Sequence, residues 1–424
     1  MEINIPDTNK PRVVVIGAGF AGLILAKKLS SADFQIVLID RHNYHTFQPL
    51  LYQVATGGLE PGSIAHPLRK FIKRRPQIIL RMAEVTQIET AEKVIQTNIG
   101  SLKYDLLILA TGSKTNFFGQ QQLPQFAMRM KTVPQALDLR SMILQHFEEA
   151  LLTTDMKLRD ALTTFVVVGG GPTGVETAGA LGELKKHVLP NDYPELDIRR
   201  MQIHLIEAGP RLLAGMSDKA SSKTIDFLKE LDVNIWLNSP VAEYDGHTVQ
   251  FAGGKQLSAA TLIWSAGVIG ATPAGIDASH IGRGGRLLVN EFNEVQGLPG
   301  FYAVGDVALM TTEAYPNGHP MVAPVAIQQA SLLAQNLKRQ LAGKPLKPFK
   351  YFNKGSMATI GRNRAVVDIG KVRFQGFFAW FVWMFVHLMS IVGFRNKMVV
   401  FVDWFWNYLS YDRALRLIIR PFKR

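Results

Sequence analysis

Residues 13–22 of the chain read VVVIGAGFAG, an apolar run that passes directly into a glycine-rich turn. A helical pattern follows the turn, and a second apolar run at residues 36–39 ends in Asp40. This order of strand, glycine turn, helix, strand and acid predicts a unit that binds a dinucleotide. The glycines let the backbone approach a pyrophosphate, the helix N-terminus attracts its negative charge, and the acid accepts hydrogen bonds from a ribose.

The same block recurs in the middle of the chain. An apolar run passes into GGGPTG at residues 169–174, and a later apolar run ends in Glu207. The two glycine motifs begin 152 residues apart, and a second strand-and-turn feature, ending at Gly112 and again at Gly267, repeats after 155 residues. Two features that repeat at nearly one offset predict an α/β protein with two Rossmann-like domains. Glycine turns that serve packing alone become the weaker alternative.

The composition limits the chemistry that the chain can carry out. Its 424 residues include no cysteine, which excludes a disulfide framework, a thiol nucleophile and any metal or iron–sulfur site with cysteine ligands. Hydrophobic residues make up 47% of the chain, which excludes a disordered protein. Any redox reaction must therefore depend on a bound organic cofactor.

The C-terminal tail differs from the rest of the chain. Residues 371–424 hold nine basic and two acidic residues, a local charge of +7 out of +13, together with four of the six tryptophans. Basic residues mixed with aromatic ones favour a lipid surface over nucleic acid. Residues 377–394 fit helices in the membrane plane, a buried helix pair at a soluble or dimer interface, or one transmembrane span. The polar residues 1–10 do not resemble a signal peptide, so we expect an intracellular protein.

Other patterns complete the expected organisation. An apolar run at residues 301–304 predicts a strand that ends in a Gly-Asp pair, and a helix is predicted at residues 323–342. Short strands are expected within residues 346–372, and residues 410–420 alternate basic and apolar side chains at helical spacing. The predicted domain limits are 1–120, 121–275, 276–345 and 346–424.

Four motifs resemble those of flavin reductases with two dinucleotide-binding domains. They are GAGFAG at residues 17–22, ATG at 110–112, GGGPTGVE at 169–176 and YAVGD at 302–306. Within that group, HTFQPLLYQVATG at residues 45–57 and GFRNK at 393–397 resemble type II NADH dehydrogenases, the single-subunit NADH:quinone oxidoreductases of respiratory membranes. The resemblance covers residues 11–424 and implies a glutathione-reductase-like architecture with a C-terminal helical domain that anchors it to one membrane face.

The resemblance implies FAD, bound non-covalently, in the first and last thirds of the chain, and NADH as substrate in the middle. The implied FAD contacts are Gly17, Gly19, Phe20, Ala21, Gly22, Asp40, Arg41, Gln48, Val85, Thr111, Gly112, Gly305, Asp306 and Ala323. The implied NADH contacts are Gly171, Pro172, Thr173, Gly174, Glu176, Glu207, Ala266 and Gly267. Glu207 favours NADH over NADPH because its charge repels a 2′-phosphate, although Arg211 could offset that repulsion.

Two residues are candidates for a direct part in the reaction. Glu176 lies at a helix start beside the implied nicotinamide, where it could serve the hydride site or a proton relay. It could also be a carboxylate that the helix N-terminus favours. Gln328 is the second candidate, on the helix that the resemblance assigns to the quinone. The implied quinone contacts are Ala326, Ile327, Gln328 and Gln329.

The quinone helix departs from the usual pattern of the family, Ala-Gln-x-Ala-x-Gln. Pro324 replaces the first glutamine and cannot donate a backbone hydrogen bond, and Ile327 stands where histidine or tryptophan is often found. Polar contact with a quinone is therefore expected from Gln328, from Gln329 or from backbone groups nearby. The small side chains at positions 323, 326 and 330 are expected to leave room for a flat ring.

These implications predict an enzyme that oxidises NADH and passes two electrons to a membrane quinone without pumping protons. We expect a homodimer that is attached peripherally to the cytoplasmic face of the inner membrane, with no metal ion and no nucleic acid as partner. Two alternatives remain open. One is a soluble NADH-dependent flavin reductase, and the other is an NADH- and flavin-binding interaction protein similar to apoptosis-inducing factors.

Overall fold

The computed structural model describes residues 1–410 and 415–423, which form two compact units. The first unit comprises Met1–His45, His66–Lys114 and Val268–Asn353, and the second comprises Thr46–Ala65, Thr115–Gly267 and Lys354–Arg424. Each unit contains one glycine motif, and the C-terminal segment belongs to the same compact unit as the second motif. The four predicted domains are defined by expected function rather than by compactness, and their limits stay a prediction.

The helices and strands alternate along most of the chain. The helices are α1 Phe20–Leu29, α2 Leu51–Ala55, α3 Pro61–Ile64, α4 Leu68–Ile72, α5 Leu123–Phe126, α6 Val133–Leu152, α7 Met156–Leu162, α8 Pro172–His187, α9 Leu189–Asp192, α10 Asp218–Glu230, α11 Ala323–Leu341, α12 Phe377–Ser390 and α13 Phe394–Ser410. The first strands are β1 Arg12–Ile16, β2 Gln35–Asp40, β3 Tyr44–Thr46, β4 Ala65–Pro67, β5 Ile78–Met82, β6 Val85–Glu89, β7 Val94–Thr97, β8 Gly100–Lys103, β9 Leu106–Leu109, β10 Ser113–Thr115, β11 Met128–Arg129, β12 Thr164–Val168 and β13 Gln202–Ile206. The later strands are β14 Val233–Trp236, β15 Val241–Tyr244, β16 Thr248–Phe251, β17 Gln256–Ser258, β18 Thr261–Trp264, β19 Val268–Gly270, β20 Ile281–Gly282, β21 Arg286–Leu288, β22 Phe301–Ala303, β23 Ala308–Leu309, β24 Ser356–Thr359, β25 Ala365–Ile369 and β26 Val372–Gln375. Single 3₁₀ turns occur at Gln48–Leu50, Ile198–Arg200, Ala278–His280, Arg283–Gly285 and Gly305–Val307.

The first unit is built on a parallel sheet with the strand order β22-β9-β1-β2-β5. Successive side chains of a strand point to opposite faces of the sheet. Val13 and Val15 of β1 therefore join one buried cluster, and Val14 and Ile16 join another on the opposite face. Helices α1 and α11 pack together on the first face. Burial of both faces explains why β1 is a continuous apolar run rather than an alternating one.

The second unit contains a parallel sheet of the same kind, with the strand order β11-β18-β12-β13-β14. Its strand β12 pairs with β13 and β18, as β1 pairs with β2 and β9 in the first unit. The repeat that the sequence predicts is confirmed as two parallel sheets, and so is the α/β fold class. A small antiparallel sheet of β15, β16 and β17 belongs to the same unit.

The C-terminal part of the second unit is an antiparallel sheet followed by two helices. Strands β24, β25 and β26 form the sheet, and α12 packs on it. Helix α12 ends at Ser390, and the chain turns at Gly393, whose φ of +89° is a conformation that glycine adopts readily, before α13 begins. In residues 1–410 and 415–423, no helix is both long and apolar enough to cross a membrane.

The last described residues differ from the expectation for residues 410–420. Residues 415–423 lie outside any helix, whereas residues 411–414 and 424 are not described. The segment 415–423 bonds to α6 and α9 instead of closing helical turns. Its contacts are Arg416 with Asp192, Arg420 with Asp138, and the backbone of Phe422 with the side chain of Gln145 at 2.7 and 3.1 Å.

Candidate nucleotide and quinone sites

The first glycine turn is shaped by close contacts of its backbone. Gly17 has a φ of +100°, and a Cβ at this position would overlap the carbonyl oxygen of Ala110. A Cβ at Gly22 would overlap the carbonyl oxygen of Gly17. Gly19 precedes α1, and no described atom lies within 4 Å of a Cβ built there. The turn is thus packed on its inner side and open at the helix N-terminus, where a phosphate can approach.

Asp40 at the end of β2 fixes this turn. One carboxylate oxygen accepts a hydrogen bond from the backbone N–H of Ala18 at 2.6 Å, and the other accepts from the N–H of His42 at 2.7 Å. Arg41, between them, is exposed. The predicted position of an acid beside the glycine turn is therefore correct, and its two oxygens keep further lone pairs for a ribose.

A second group of predicted cofactor residues in the first unit lies around Asp306. The Ser113 hydroxyl donates to the Asp306 carboxylate at 2.6 Å, and Thr111 and Gly112 immediately precede that serine. The Thr111 hydroxyl oxygen is buried and has no hydrogen-bond partner in the described part of the chain. A buried hydroxyl without a protein partner is costly, so its presence fits a site that a bound ligand completes.

Other predicted cofactor residues lie further from this cluster in sequence. Phe20 and Ala21 open α1, with Phe20 half-buried and edge-on to His45 at 5.3 Å between ring centroids. Val85 begins β6, and Ala323 begins α11. Gln48 is exposed and belongs to the second unit.

The second glycine turn repeats the geometry of the first. Gly169 has a φ of +113°, and a Cβ at Gly174 would overlap the carbonyl oxygen of Gly169. Gly171 precedes α8 and is open, as Gly19 is before α1. Pro172 and Thr173 in the first turn of α8 are exposed, as is Gly267, whereas Ala266 is half-buried.

Glu207 takes the place that Asp40 has in the first unit. Its carboxylate accepts from the backbone N–H groups of Gly170 at 2.6 Å and Gly209 at 2.7 Å. The guanidinium of Arg211 pairs with Asp218 and donates to two backbone carbonyls of its own loop. These three partners hold the guanidinium of Arg211.

Glu176 is buried in the second turn of α8. Burial raises the pKa of its carboxyl group to about 8, so the group carries a proton at neutral pH. The backbone N–H of Thr359 reaches one oxygen at 3.4 Å, and the indole N–H of Trp383 lies beside the carboxyl group; both oppose the rise by favouring the charged form. Glu176 is therefore a buried carboxyl group near the start of α8, and both interpretations of its role stay predictions.

The glutamines of the predicted quinone helix already have partners. Gln329 is buried and its side-chain oxygen accepts from the backbone N–H of Gly305 at 2.7 Å. The amide of Gln328 donates to the carbonyl of Phe352 at 2.9 Å and accepts from its N–H at 3.0 Å. Both amides thus serve the fold in this structure, and Ile327, which precedes them, is half-buried.

The expectation that small side chains leave room for a ring is wrong for two of the three positions. Ala326 and Ala330 are buried in the cluster that joins α11 to α1. The Ala326 side chain lies 3.1 Å from where a Cβ of Gly305 would be. These alanines therefore allow close packing of helices and of the Gly305 turn, and only Ala323 at the helix start is half-buried.

Helices α12 and α13 expose large apolar side chains, in agreement with the aromatic composition of the tail. The exposed large side chains of the two helices are Phe377, Phe378, Phe381, Phe385, Val386, Met389, Phe394, Met398, Phe401, Val402, Phe405, Trp406 and Leu409. Two basic residues of the tail, Arg416 and Arg420, pair with acids of the second unit.

Sequence reasoning missed two residues beside Glu176, Thr359 and Trp383, together with His387, which stacks on Trp383. Thr359, Trp383 and His387 come from the C-terminal segment, more than 180 positions along the chain from Glu176. The aromatic composition of the tail predicts that its tryptophans contact lipid. Trp383, however, is buried, with 1% of its surface exposed. One signal in the sequence could have found Trp383. The stretch around it is almost entirely apolar, and a helix that is apolar on all sides also fits a buried position.

The fold and the two nucleotide turns define a class of protein. The family model of pyridine nucleotide-disulphide oxidoreductases matches residues 11–330, and that of the NDH2 C-terminal domain matches residues 353–411. The class comprises flavin- and nicotinamide-dependent oxidoreductases with this architecture. In the described residues, no group of three or more His, Asp or Glu side chains is arranged to hold a metal ion.

Sequence relatives identify the particular family. Type II NADH:quinone oxidoreductases Ndh and NdhA of Mycobacterium tuberculosis are 39% and 38% identical to this chain, over 95% of it and 89% and 88% of their own lengths. The chain belongs to the type II NADH:quinone oxidoreductases. The predicted reaction, NADH oxidation with quinone reduction and without proton pumping, is thereby confirmed.

Solved structures agree on the fold. NDH2 from Plasmodium falciparum in complex with NADH superposes with a TM-score of 0.88 at 22% identity, over 97% of this chain and 100% of that one. The sulfide:quinone oxidoreductase from Aquifex aeolicus reaches 0.72 at 18% identity, over 96% of each chain. Both structures are less than 25% identical to this chain, so each of them shows the fold alone.

Proposed function

We propose that the flavin is FAD, bound non-covalently by the first unit. The observation that carries this is the pairing of an open helix N-terminus at Gly19 with a turn-fixing acid at Asp40. A glycine turn and a ribose acid serve the adenosine diphosphate half of a dinucleotide, which FMN lacks. The unpartnered Thr111 hydroxyl and the Ser113–Asp306 pair are placed to hold the flavin half.

When bound, FAD supplies the two-electron chemistry between NADH and quinone. The chain supplies binding and orientation. Gly171 and Gly174 shape the turn for the NADH pyrophosphate, and Glu207 accepts from its ribose and repels a 2′-phosphate.

We propose that Glu176 holds a proton for the reaction. Oxidation of one NADH and reduction of one quinone to quinol consume one proton from solution, because NADH carries only one of the two hydrogens. A carboxyl group with a pKa of about 8 gives up and regains a proton near neutral pH. Glu176 is therefore a proton relay candidate, whereas an ordinary exposed glutamate would be ionised.

We propose that the quinone approaches the start of α11, beside Ala323, Ile327 and Gln328. Ala323 and Ile327 are half-buried, and Gln328 is the polar group of this turn that reaches the surface. A quinone carbonyl would compete with the Phe352 backbone for the Gln328 amide. Ala326 and Gln329, which the resemblance also assigns to the quinone, are buried. Their part would then be to shape the turn at Gly305.

We propose that the protein attaches peripherally to a membrane through α12 and α13. The exposed aromatic and aliphatic side chains of these helices form the observation that supports it, because such faces enter the lipid interface. The proposal includes two further points: the protein binds the cytoplasmic face of the inner membrane, and it forms a homodimer. Fractionation from cells and the molar mass in detergent test these two points.

Cofactor identity is tested by denaturing the purified protein and measuring the mass of the released chromophore by mass spectrometry. We expect FAD at about one equivalent per chain and no flavin left on the polypeptide. Release of FMN would contradict the assignment of Asp40 and Gly19 to an adenosine diphosphate group. Flotation with vesicles tests attachment, and a protein that stays in the lipid-free fraction would favour the soluble flavin reductase.

A further inference from the structure

The C-terminal segment closes over the carboxyl group of Glu176. Thr359 ends β24, and its backbone N–H reaches the carboxyl group at 3.4 Å. Trp383 belongs to α12, is 1% exposed, and is the largest fully buried side chain of the described residues. Glu176 itself is 7% exposed. The Thr359 N–H, and the Trp383 indole that lies beside this carboxyl group, thus come from outside the nucleotide-binding sheet.

Trp383 is held in place by its own helix and by α13. Its ring stacks on His387 at 4.1 Å and lies 5.8 Å from the ring of Trp404. His387 is tied to the Trp383 carbonyl at 2.8 Å, and burial lowers its pKa to about 4, so it is neutral. The ring position of Trp383 is therefore fixed by packing rather than by its polar atom.

The indole N–H of Trp383 lacks a well-formed hydrogen bond within the described part of the chain. It is buried and makes no hydrogen bond of good geometry within the described part of the chain, although it lies beside the Glu176 carboxyl group. A buried donor of this kind gains most from a charged acceptor, because hydrogen bonds to an ionised carboxylate are stronger than those to a neutral one. The N–H is thus poised to favour the state in which Glu176 has released its proton.

We propose that Trp383 is a positioning residue for Glu176, and that its indole N–H sets how readily the buried carboxyl group releases its proton. The proposal rests on the proposed part of Glu176 in the reaction. It makes the C-terminal segment a component of the proton chemistry as well as a membrane attachment. A truncation that removes α12 would then change Glu176 in addition to any loss of lipid binding.

No charge on the surrounding elements explains the behaviour of Glu176. Ionisable side chains on the elements packed around it are Tyr52 on α2, Glu183, Lys185, Lys186 and His187 on α8, Asp192 on α9, His204 on β13, Asp218, Lys219, Lys223, Asp226, Lys229 and Glu230 on α10, and His387 on α12. Within the described residues, only burial, the Thr359 N–H and the Trp383 indole shift the pKa of Glu176. Removal of the indole N–H is therefore expected to raise the pKa of Glu176.

Infrared spectroscopy of the full-length enzyme with its cofactor tests the proposal. The band of the protonated carboxyl group is followed against pH and assigned by its loss in Glu176→Gln. Trp383→Phe keeps an aromatic ring but removes the N–H, and we expect its midpoint to rise by about one pH unit, a roughly tenfold weaker release of the proton. Trp380→Phe is the matched control, since Trp380 lies on the same helix against Tyr408 at 5.5 Å, and its midpoint should match the wild type.

A midpoint for Trp383→Phe that equals that of the wild type would overturn the proposal, as would an equal rise in Trp380→Phe. If Trp383→Phe does not fold, benzothienylalanine at position 383 removes the N–H with almost no change of ring size. Turnover separates the two proposals. A normal rate in Glu176→Gln would contradict the proton role of Glu176, while the spectroscopic shift in the Trp383 variant would still stand.

Discussion

Gly22 and Gly174 occupy equivalent places in the two units, and in each a Cβ would overlap the first glycine of its turn. Two residues further on, the correspondence ends. Applying the 152-residue offset of the glycine motifs, Ile24 of α1 corresponds to Glu176 of α8. Ile24 packs against the apolar core of the first unit, whereas Glu176 is a buried acid.

This difference separates what the fold requires from what the reaction requires. An aliphatic side chain suffices at this helix position in the first unit, so the fold has no need of a carboxyl group there. Burial of an acid costs stability unless it stays protonated or gains partners. The second unit nevertheless buries Glu176 under the C-terminal segment, which supports the proposal that this unit handles a proton as well as a nucleotide.

The largest effects are expected from a matched pair of glycine substitutions. Gly22→Ala should abolish flavin binding, because the added Cβ overlaps the Gly17 carbonyl oxygen and displaces the turn. Gly174→Ala should keep the flavin but raise the KM for NADH by roughly a hundredfold, about 3 kcal/mol of lost binding. The flavin absorbance of the purified variants and their NADH saturation curves provide the measurement. Loss of flavin in Gly174→Ala would break the assignment of one nucleotide to each unit.

Replacement of Glu176 by glutamine should lower kcat about a hundredfold with normal flavin content, since it removes a group that exchanges protons. The pH dependence of stability should change as well. The folded-state pKa of about 8 lies above the ordinary value of 4.5, so the wild type loses stability as pH rises from about 4.5 to about 8. Glu176→Gln removes that loss.

Thermal unfolding of both proteins between pH 5 and pH 8.5 checks the second effect. The melting temperature of the glutamine variant should exceed that of the wild type at pH 8, and the difference should shrink towards pH 5. A difference that stays constant over this range would mean that Glu176 does not hold a proton in the folded enzyme.

A smaller effect is expected at the acids that close the two turns. Glu207→Gln should raise kcat/KM for NADPH relative to NADH by about tenfold, because it removes the charge that repels a 2′-phosphate. Asp40→Asn is the counterpart in the first unit and should weaken flavin retention without changing this ratio. Equal use of both nucleotides by the wild type would contradict the role given to Glu207.

The smallest effect concerns the basic residues of the tail. Arg395→Gln should weaken binding to anionic vesicles about fivefold, close to 1 kcal/mol for one cation at a lipid surface. Arg395 is exposed at the start of α13. Arg416→Gln is the control, since Arg416 pairs with Asp192, and its vesicle binding should equal that of the wild type. Equal losses in both variants would place residues 415–423 at the membrane too.

The local parts of the molecule could be predicted from sequence, and the contacts between distant segments could not. The strands β1 and β12, their glycine turns and the acids Asp40 and Glu207 follow from short motifs, because neighbouring residues determine each of them. The helix at Ala323–Leu341 also follows its apolar period. The surroundings of Glu176 depend on packing of β24 and α12, which no local pattern specifies.

Two side chains whose partners the sequence did not predict show the same limit. Gln329 has the polarity of a quinone ligand, but its burial against Gly305 depends on how α11 packs in the first unit. Arg416 has the charge of a lipid contact, but Asp192 lies near enough in the fold to pair with it. A side chain's chemistry indicates which partners suit it, and only the tertiary structure decides which of them is reached.

Anaerobic stopped-flow absorbance of the purified enzyme tests the central claim most directly, that the two units bind a flavin and NADH for transfer of electrons to a quinone. One equivalent of NADH should bleach the flavin band completely, and one equivalent of a short-chain quinone, mixed next, should restore it. Bleaching without recovery on addition of quinone, or a purified protein with no flavin band, would contradict it.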